Sequence, residues 1–127
     1  MLTDTDIRRI VERVVAGCGP LAVGIFGSYA VDRARGASDL DLFVIQQTRL
    51  PPSARRRAVM QTLFGILHPL DVHVFTPEEF EAGTLEELSF TWIIVRQARV
   101  YHWSPGAAAL VPSLAKPARR LGPCPCP

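Results

Sequence analysis

Apolar residues recur along this chain in short blocks whose period changes several times. Ile7, Ile10, Val11 and Val14 keep the three-and-four spacing of one helix face behind a capping Thr3 or Asp4, which predicts a helix over 4–16. The stretch Gly17-Cys18-Gly19-Pro20 ends it. The unbroken apolar run Leu21–Phe26 then predicts a buried strand. Gly27-Ser28 breaks that run, and Ser28 is expected to cap a short helix to about Arg35, closed by Gly36. Leu40–Gln46 reads as a second strand and Pro51-Pro52-Ser53 as a turn and cap. A helix over 54–67 follows, with Val59, Leu63, Ile66 and Leu67 as its apolar face, stopped by His68-Pro69. Leu70–Phe75 reads as a third strand. Thr76-Pro77-Glu78-Glu79 carries a cap, a first-turn proline and a capping-box glutamate. A helix over 86–98 and a strand over Val100–Trp103 complete the pattern. The order α-β-α-β-α-β-α-α-β predicts an α/β (α+β) fold, a small mixed sheet flanked by helices.

Beyond Ser104 the prolines at 105, 112, 117, 123, 125 and 127 forbid a long regular element. Residues 105–127 therefore read as a Pro/Ala-rich tail, mobile or laid on the surface, after a domain spanning 1–104. The 127 residues suffice for one core, and 48% hydrophobic with 20% charged residues is a globular balance. A net charge of +2 is too small to drive nucleic-acid or membrane binding by charge alone. No apolar run reaches the length of a membrane span. The acidic start Met1-Leu2-Thr3-Asp4-Thr5-Asp6 lacks the features of a signal peptide, and three cysteines suit a reducing compartment, so the expected location is cytoplasmic. Cys124-Pro-Cys126 has no further ligands nearby and does not read as a zinc site.

The chemistry lies in the second and third strands. Side chains alternate across a strand, so Asp39 and Asp41 share one face and Leu40, Leu42 and Val44 the other. Adjacent carboxylates repel unless a cation lies between them, and magnesium prefers such oxygens while leaving positions for phosphate. On the third strand Asp71, His73 and Phe75 share a face. If the two strands are neighbours, Asp71 joins the pair, and three carboxylates can hold two metal ions that activate a hydroxyl and neutralise a leaving pyrophosphate. Asp71 could also receive the hydroxyl proton. Gly27 lets the backbone approach a ligand, Ser28 adds a hydroxyl, and a helix start behind them would present N–H groups to phosphate. Arg33 and Arg35 lie on the same connection and are candidates for phosphate contact, or else solvated surface arginines. Each part alone is common in unrelated proteins; the combination is not.

These residues resemble the minimal nucleotidyltransferases of the DNA polymerase beta superfamily. Gly24-Ile25-Phe26-Gly27-Ser28-Tyr29-Ala30, then Ser38-Asp39-Leu40-Asp41-Leu42-Phe43-Val44, matches their Gly-Ser and Asp-x-Asp signature, and Leu70 to Phe80 resembles their third-aspartate strand and turn. The resemblance covers roughly 7–103 and implies a polymerase-beta-like nucleotidyltransferase fold. It also implies magnesium-dependent transfer of a nucleoside monophosphate, as AMP from ATP, with Gly27 and Ser28 holding the triphosphate and Asp39, Asp41 and Asp71 the metal. His73, where the family often has an apolar residue, could touch the acceptor or simply sit beside Asp71. Small stand-alone members resemble the antitoxin of a pair whose partner is an all-helical HEPN-type toxin, silenced by AMP added to a tyrosine. Two alternatives stay open: an antitoxin that inhibits by binding alone, and a transferase acting on a small molecule such as an aminoglycoside, its site completed by a homo-dimer.

Three further signals are weaker. Arg55-Arg56-Arg57 opens a helix, where cations oppose the dipole, and reads as a solvated face rather than a partner site. Arg96 and His102 have the spacing of the HEPN ribonuclease pair, but His102 falls in an expected strand. Phe90 to Val95 is too apolar for one helix face to bury, so part of it could meet a partner or a second copy.

Overall fold

The structure, a computed structural model, describes residues 1–115. Helix α1 (Asp4–Cys18) starts on a reciprocal capping box between Thr3 and Asp6 and ends at Gly19 in the left-handed region. Strands β1 (Ala22–Phe26), β2 (Leu40–Ile45), β3 (Leu70–Phe75) and β4 (Arg99–Trp103) form one sheet in the order β3-β2-β1-β4. β1 runs antiparallel to both neighbours and β2 is parallel to β3, so the sheet is mixed, as expected. The parallel pair is joined by helix α2 (Pro52–Thr62), the crossover such a pair requires.

Strand alternation divides the core in two. Val23, Ile25, Leu40, Leu42, Val44 and Val72 face α1 and α2, where they meet Ile7, Ile10, Val11, Val14, Val59 and Leu63. Ala22, Phe26, Phe43 and Ile45 face the other way, toward α3 (Pro77–Gly83) and α4 (Phe90–Gln97), where Phe80 and Ile94 are fully buried. Val100 and Trp103 join this second layer although they are three apart. The β1–β4 register skips Tyr101, and this irregularity turns both side chains to one side.

Several elements differ from the pattern-based expectation. No helix forms over 28–35. The chain makes turns, with Ala30 N–H and Val31 N–H donating to Gly27 O, and Asp32 at φ +58, held by Arg99 at 2.7 Å, cannot continue a helix. Helix α2 begins earlier and ends at Thr62, because Gly65 at φ +91 turns the chain. Leu67, expected on its apolar face, is 96% exposed. Helix α4 begins only at Phe90, on a Ser89 cap, since Leu88 sits at φ +66.

The segment expected to be a tail also differs. Residues 107–110 form a short helix, α5, followed by a 3-10 turn over 112–114, and Ala107, Val111 and Leu114 are fully buried in the second layer. Small and aliphatic residues between the prolines supply a face that composition alone hid. Cys124 and Cys126 lie outside the described residues, as does the rest of the expected tail. No helix among the described residues is long and apolar enough to cross a membrane.

Candidate active site

The register places the expected residues in one row. Phe26 pairs with Asp41 across β1 and β2, and Asp41 pairs with Asp71 across β2 and β3. Gly27, Asp41 and Asp71 therefore adjoin at the end of the second layer. Gly27 has φ +74, and a Cβ there would collide with Asp41 Oδ2. Only glycine lets the turn and the carboxylate lie this close.

Asp41 is half-buried, and burial pushes its carboxyl above the usual range, reinforced by the nearby charges of Asp71 and Asp39 and opposed by His73. Two other carboxylates thus crowd a third that water does not fully solvate, the situation a cation relieves. Asp39 precedes the β2 ladder and is exposed. Among the described residues no group of three His, Cys, Asp or Glu side chains already converges as a metal cage. The all-oxygen donor set still fits magnesium, which is usually held by one or two carboxylates and substrate phosphates rather than by a closed protein cage.

Around this row lie one residue that the pattern did not single out, Gln97, and several that it did. Gly27 N–H donates to Gln97 Oε1 at 3.3 Å, so the last turn of α4 holds the amide of the Gly27 turn. His73 Nε2 lies 3.1 Å from Asp71 Oδ2, and its ring packs between Phe26 (5.4 Å) and Phe90 (4.9 Å between centroids). Of the two readings for His73, the structure contains the pairing with Asp71. Phe90 remains 58% exposed beside it, an open aromatic face at the rim of the carboxylates. Ser28 follows Gly27 in the turn and is partly exposed. Arg33 and Arg35 are both exposed on the connection, where Arg33 N–H donates to Ser28 O and Arg35 N–H to Ser38 Oγ. Without a helix behind Ser28, a phosphate would meet turn amides rather than a helix start.

Elsewhere Arg55 departs from the expected solvated face. It is buried, donating to Glu79 at 2.7 Å and to Leu50 O at 2.6 Å, while Arg56 and Arg57 are exposed. Arg96 stacks on Trp92 at 3.7 Å and His102 lies in β4 against Ser104, so the two do not form a helical catalytic pair. A groove of about 500 Å³ lies across the opposite layer between α1 and β4, lined by Val11, Val15 and Tyr101 among others. It contains none of the carboxylate row and carries no part of this chemistry.

The sequence profile of the nucleotidyltransferase domain family matches residues 6–101, which includes the whole row. The chain belongs to the nucleotidyltransferase domain family. Similar solved structures agree with this nucleotidyltransferase in fold. A putative nucleotidyltransferase from Sulfolobus solfataricus is 20% identical, with a TM-score of 0.55 over 76% of this chain and 77% of that one. A toxin–antitoxin complex with AMP-PNP is 17% identical, with a TM-score of 0.57 over 84% and 82%. A mutant of the toxin–antitoxin MntA-HpeT is 16% identical, with a TM-score of 0.52 over 89% and 84%. No curated protein matches this nucleotidyltransferase significantly.

Proposed function

We propose that this nucleotidyltransferase moves AMP from ATP onto a hydroxyl of a partner protein, a tyrosine of a cognate HEPN-type toxin, and so acts as an antitoxin. The observation that carries the reading is the pairing of Asp41 with Asp71 beside a Gly27 turn too close for any side chain. Structural likeness to a toxin–antitoxin complex with AMP-PNP supports the nucleotide and the class of partner.

In this reading Gly27 and Ser28 hold the triphosphate, with Arg33 and Arg35 free to reach its outer oxygens. Asp39, Asp41 and Asp71 would hold magnesium, two ions during turnover, and the metal would supply positive charge to offset that on the attacking and leaving oxygens. The acceptor oxygen forms a bond to the α-phosphorus, the bond from that phosphorus to the β-bridging oxygen breaks, and pyrophosphate leaves. Asp71 takes the hydroxyl proton, and the 3.1 Å contact from His73 fixes which of its oxygens faces the acceptor. The carboxylates lie on an open sheet end rather than in a cleft, which suits an acceptor that brings its own surface.

The test is incubation with α-labelled ATP, magnesium and the partner encoded beside this chain. Label is expected on a partner tyrosine, and none with an Asp39→Asn/Asp41→Asn double variant. Inhibition of the partner without label, unchanged in the double variant, would replace this reading with antitoxin action by binding. Label found only on a small molecule would replace it with an antibiotic-type transferase.

A further inference from the structure

Asp39 differs from the other two carboxylates in what holds it. Asp41 and Asp71 are pinned inside strand ladders, but Asp39 stands before β2, at the end of a connection whose residues 31–33 and 35–37 are exposed. Besides the bond from Arg35 N–H to Ser38 Oγ, three hydrogen bonds fasten the backbone at this point. Leu40 N–H donates to Pro69 O at 3.0 Å, Ser38 N–H to Arg35 O at 2.9 Å, and His68 Nε2 to Ser38 O at 2.8 Å. Because Ser38 O can only accept, the imidazole carries its proton on Nε2.

The same ring meets the other end of the connection. It lies edge-on to Tyr29, with centroids 5.9 Å apart, and Nε2 is 3.5 Å from the Tyr29 hydroxyl. Tyr29 is buried, and its hydroxyl also accepts from Leu2 N–H at 3.1 Å. One partly buried imidazole thus touches the residue after Ser28 and the residue before Asp39.

We infer that His68 is a positioning residue that clamps the two ends of the 29–38 connection, and so sets the distance between the phosphate turn and Asp39. This role rests on the nucleotidyltransfer reading above. Its consequence is that the metal–triphosphate unit meets a turn and a carboxylate already at their working separation. Without the clamp, the exposed connection leaves Asp39 to sample positions from which it cannot share a metal with Asp41. His68 itself touches neither nucleotide nor metal, and losing an outer partner of this kind typically weakens metal affinity on the order of 10- to 100-fold.

Two substitutions separate reach from bulk. The amide of His68→Gln extends to where Nε2 stands, whereas that of His68→Asn stops near Nδ1, short of Ser38 O. Two measurements on the full chain decide the matter: amide hydrogen exchange without ligand, and affinity for ATP by titration calorimetry with magnesium and with chelator. In His68→Asn, amides of 35–40 are expected to exchange on the order of tenfold faster while α1 and β1 are unchanged. Its affinity for magnesium ATP should fall on the order of 10-fold or more, with metal-free affinity unaltered. His68→Gln should restore both. Unchanged exchange at 35–40 in the Asn variant overturns the clamp. So does faster exchange with magnesium ATP affinity equal to wild type, or a Gln variant no better than Asn at equal thermal stability. A wild-type chain that binds no magnesium ATP overturns the transferase reading and this role with it, and is told apart by the exchange difference, which persists.

Discussion

At the scale of single residues, function and stability pull in opposite directions at the carboxylate row. Asp41 is half-buried beside two other acids, so its charge is unfavourable to the metal-free fold and useful only when a cation arrives. Asp41→Asn is therefore expected to lower nucleotidyl transfer about a thousandfold, roughly 4 kcal/mol of transition-state stabilisation. Its melting temperature in chelator should be equal to or above wild type, and magnesium should raise the melting temperature of the wild type only. A thermal-shift series with and without magnesium, beside a transfer assay, checks both halves.

Gly27 makes the opposite case. Any Cβ meets Asp41, and φ +74 adds strain, so Gly27→Ala should cost about 1–2 kcal/mol and also displace the carboxylate. Denaturant unfolding and the transfer assay together would show a loss of activity far beyond the loss of stability. Asp39 and Asp41 were legible as a pair because strand alternation is a local rule, whereas Asp71 joins them through strand pairing. Gln97 was not legible, since it reaches Gly27 from 70 residues away and belongs to no local motif.

At the scale of elements, the ion pair from Arg55 to Glu79 ties the start of α2 to the start of α3, which directly follows β3. Glu79 also closes the Thr76 capping box, its Oε1 accepting from Thr76 N–H at 3.0 Å. The Arg55 hydrogen bond, opposed by burial and helped by the bonds with Thr76, holds the Glu79 carboxyl below its usual range. A lowered folded value means that the contribution is complete above the ordinary carboxylate range and is lost as pH falls through the lower folded value. Glu79→Gln is expected to cost about 1 kcal/mol at neutral pH, a figure reduced because Glu79 is 46% exposed. Its stability should also decline less steeply than wild type as pH drops from 5 toward about 3. Thermal melts across that window check it, and parallel curves for the two proteins would refute it.

Helix starts were readable because Thr76-Pro77-Glu78-Glu79 satisfies its own backbone amides locally. Helix ends were less so. Asp32 and Leu88 adopt positive φ within spans that the sequence would have allowed as helix, and Asp32 is held by Arg99, 67 residues away. Arg55 was misjudged for the same reason, since its partner lies 24 residues away.

At the scale of the molecule, the second layer is completed by chain that composition marked as a tail. Ala107, Val111 and Leu114 are fully buried in the same cluster as Trp103, so residues after 104 belong to the core that carries the strand ends. Leu114→Ala is expected to cost about 2–5 kcal/mol, and a chain ending at Ser104 to lose cooperative unfolding. A melt of each tests this, and a truncated chain melting like wild type would show the segment to be dispensable.

By itself the sequence determined the strand alternation, the two best-capped helices and the common face of Asp39 and Asp41, because all of these rest on contacts within a few residues. The mixed sheet and the family followed from the same local signals. Tertiary structure alone decided that Asp41 and Asp71 stand side by side and that Gln97 holds the Gly27 amide. It also decided that the 28–38 connection is turns clamped at its ends rather than a helix. The physical reason is common to all three. Pairing register, burial and positive φ are set by what packs from far along the chain, and a local pattern carries no record of it.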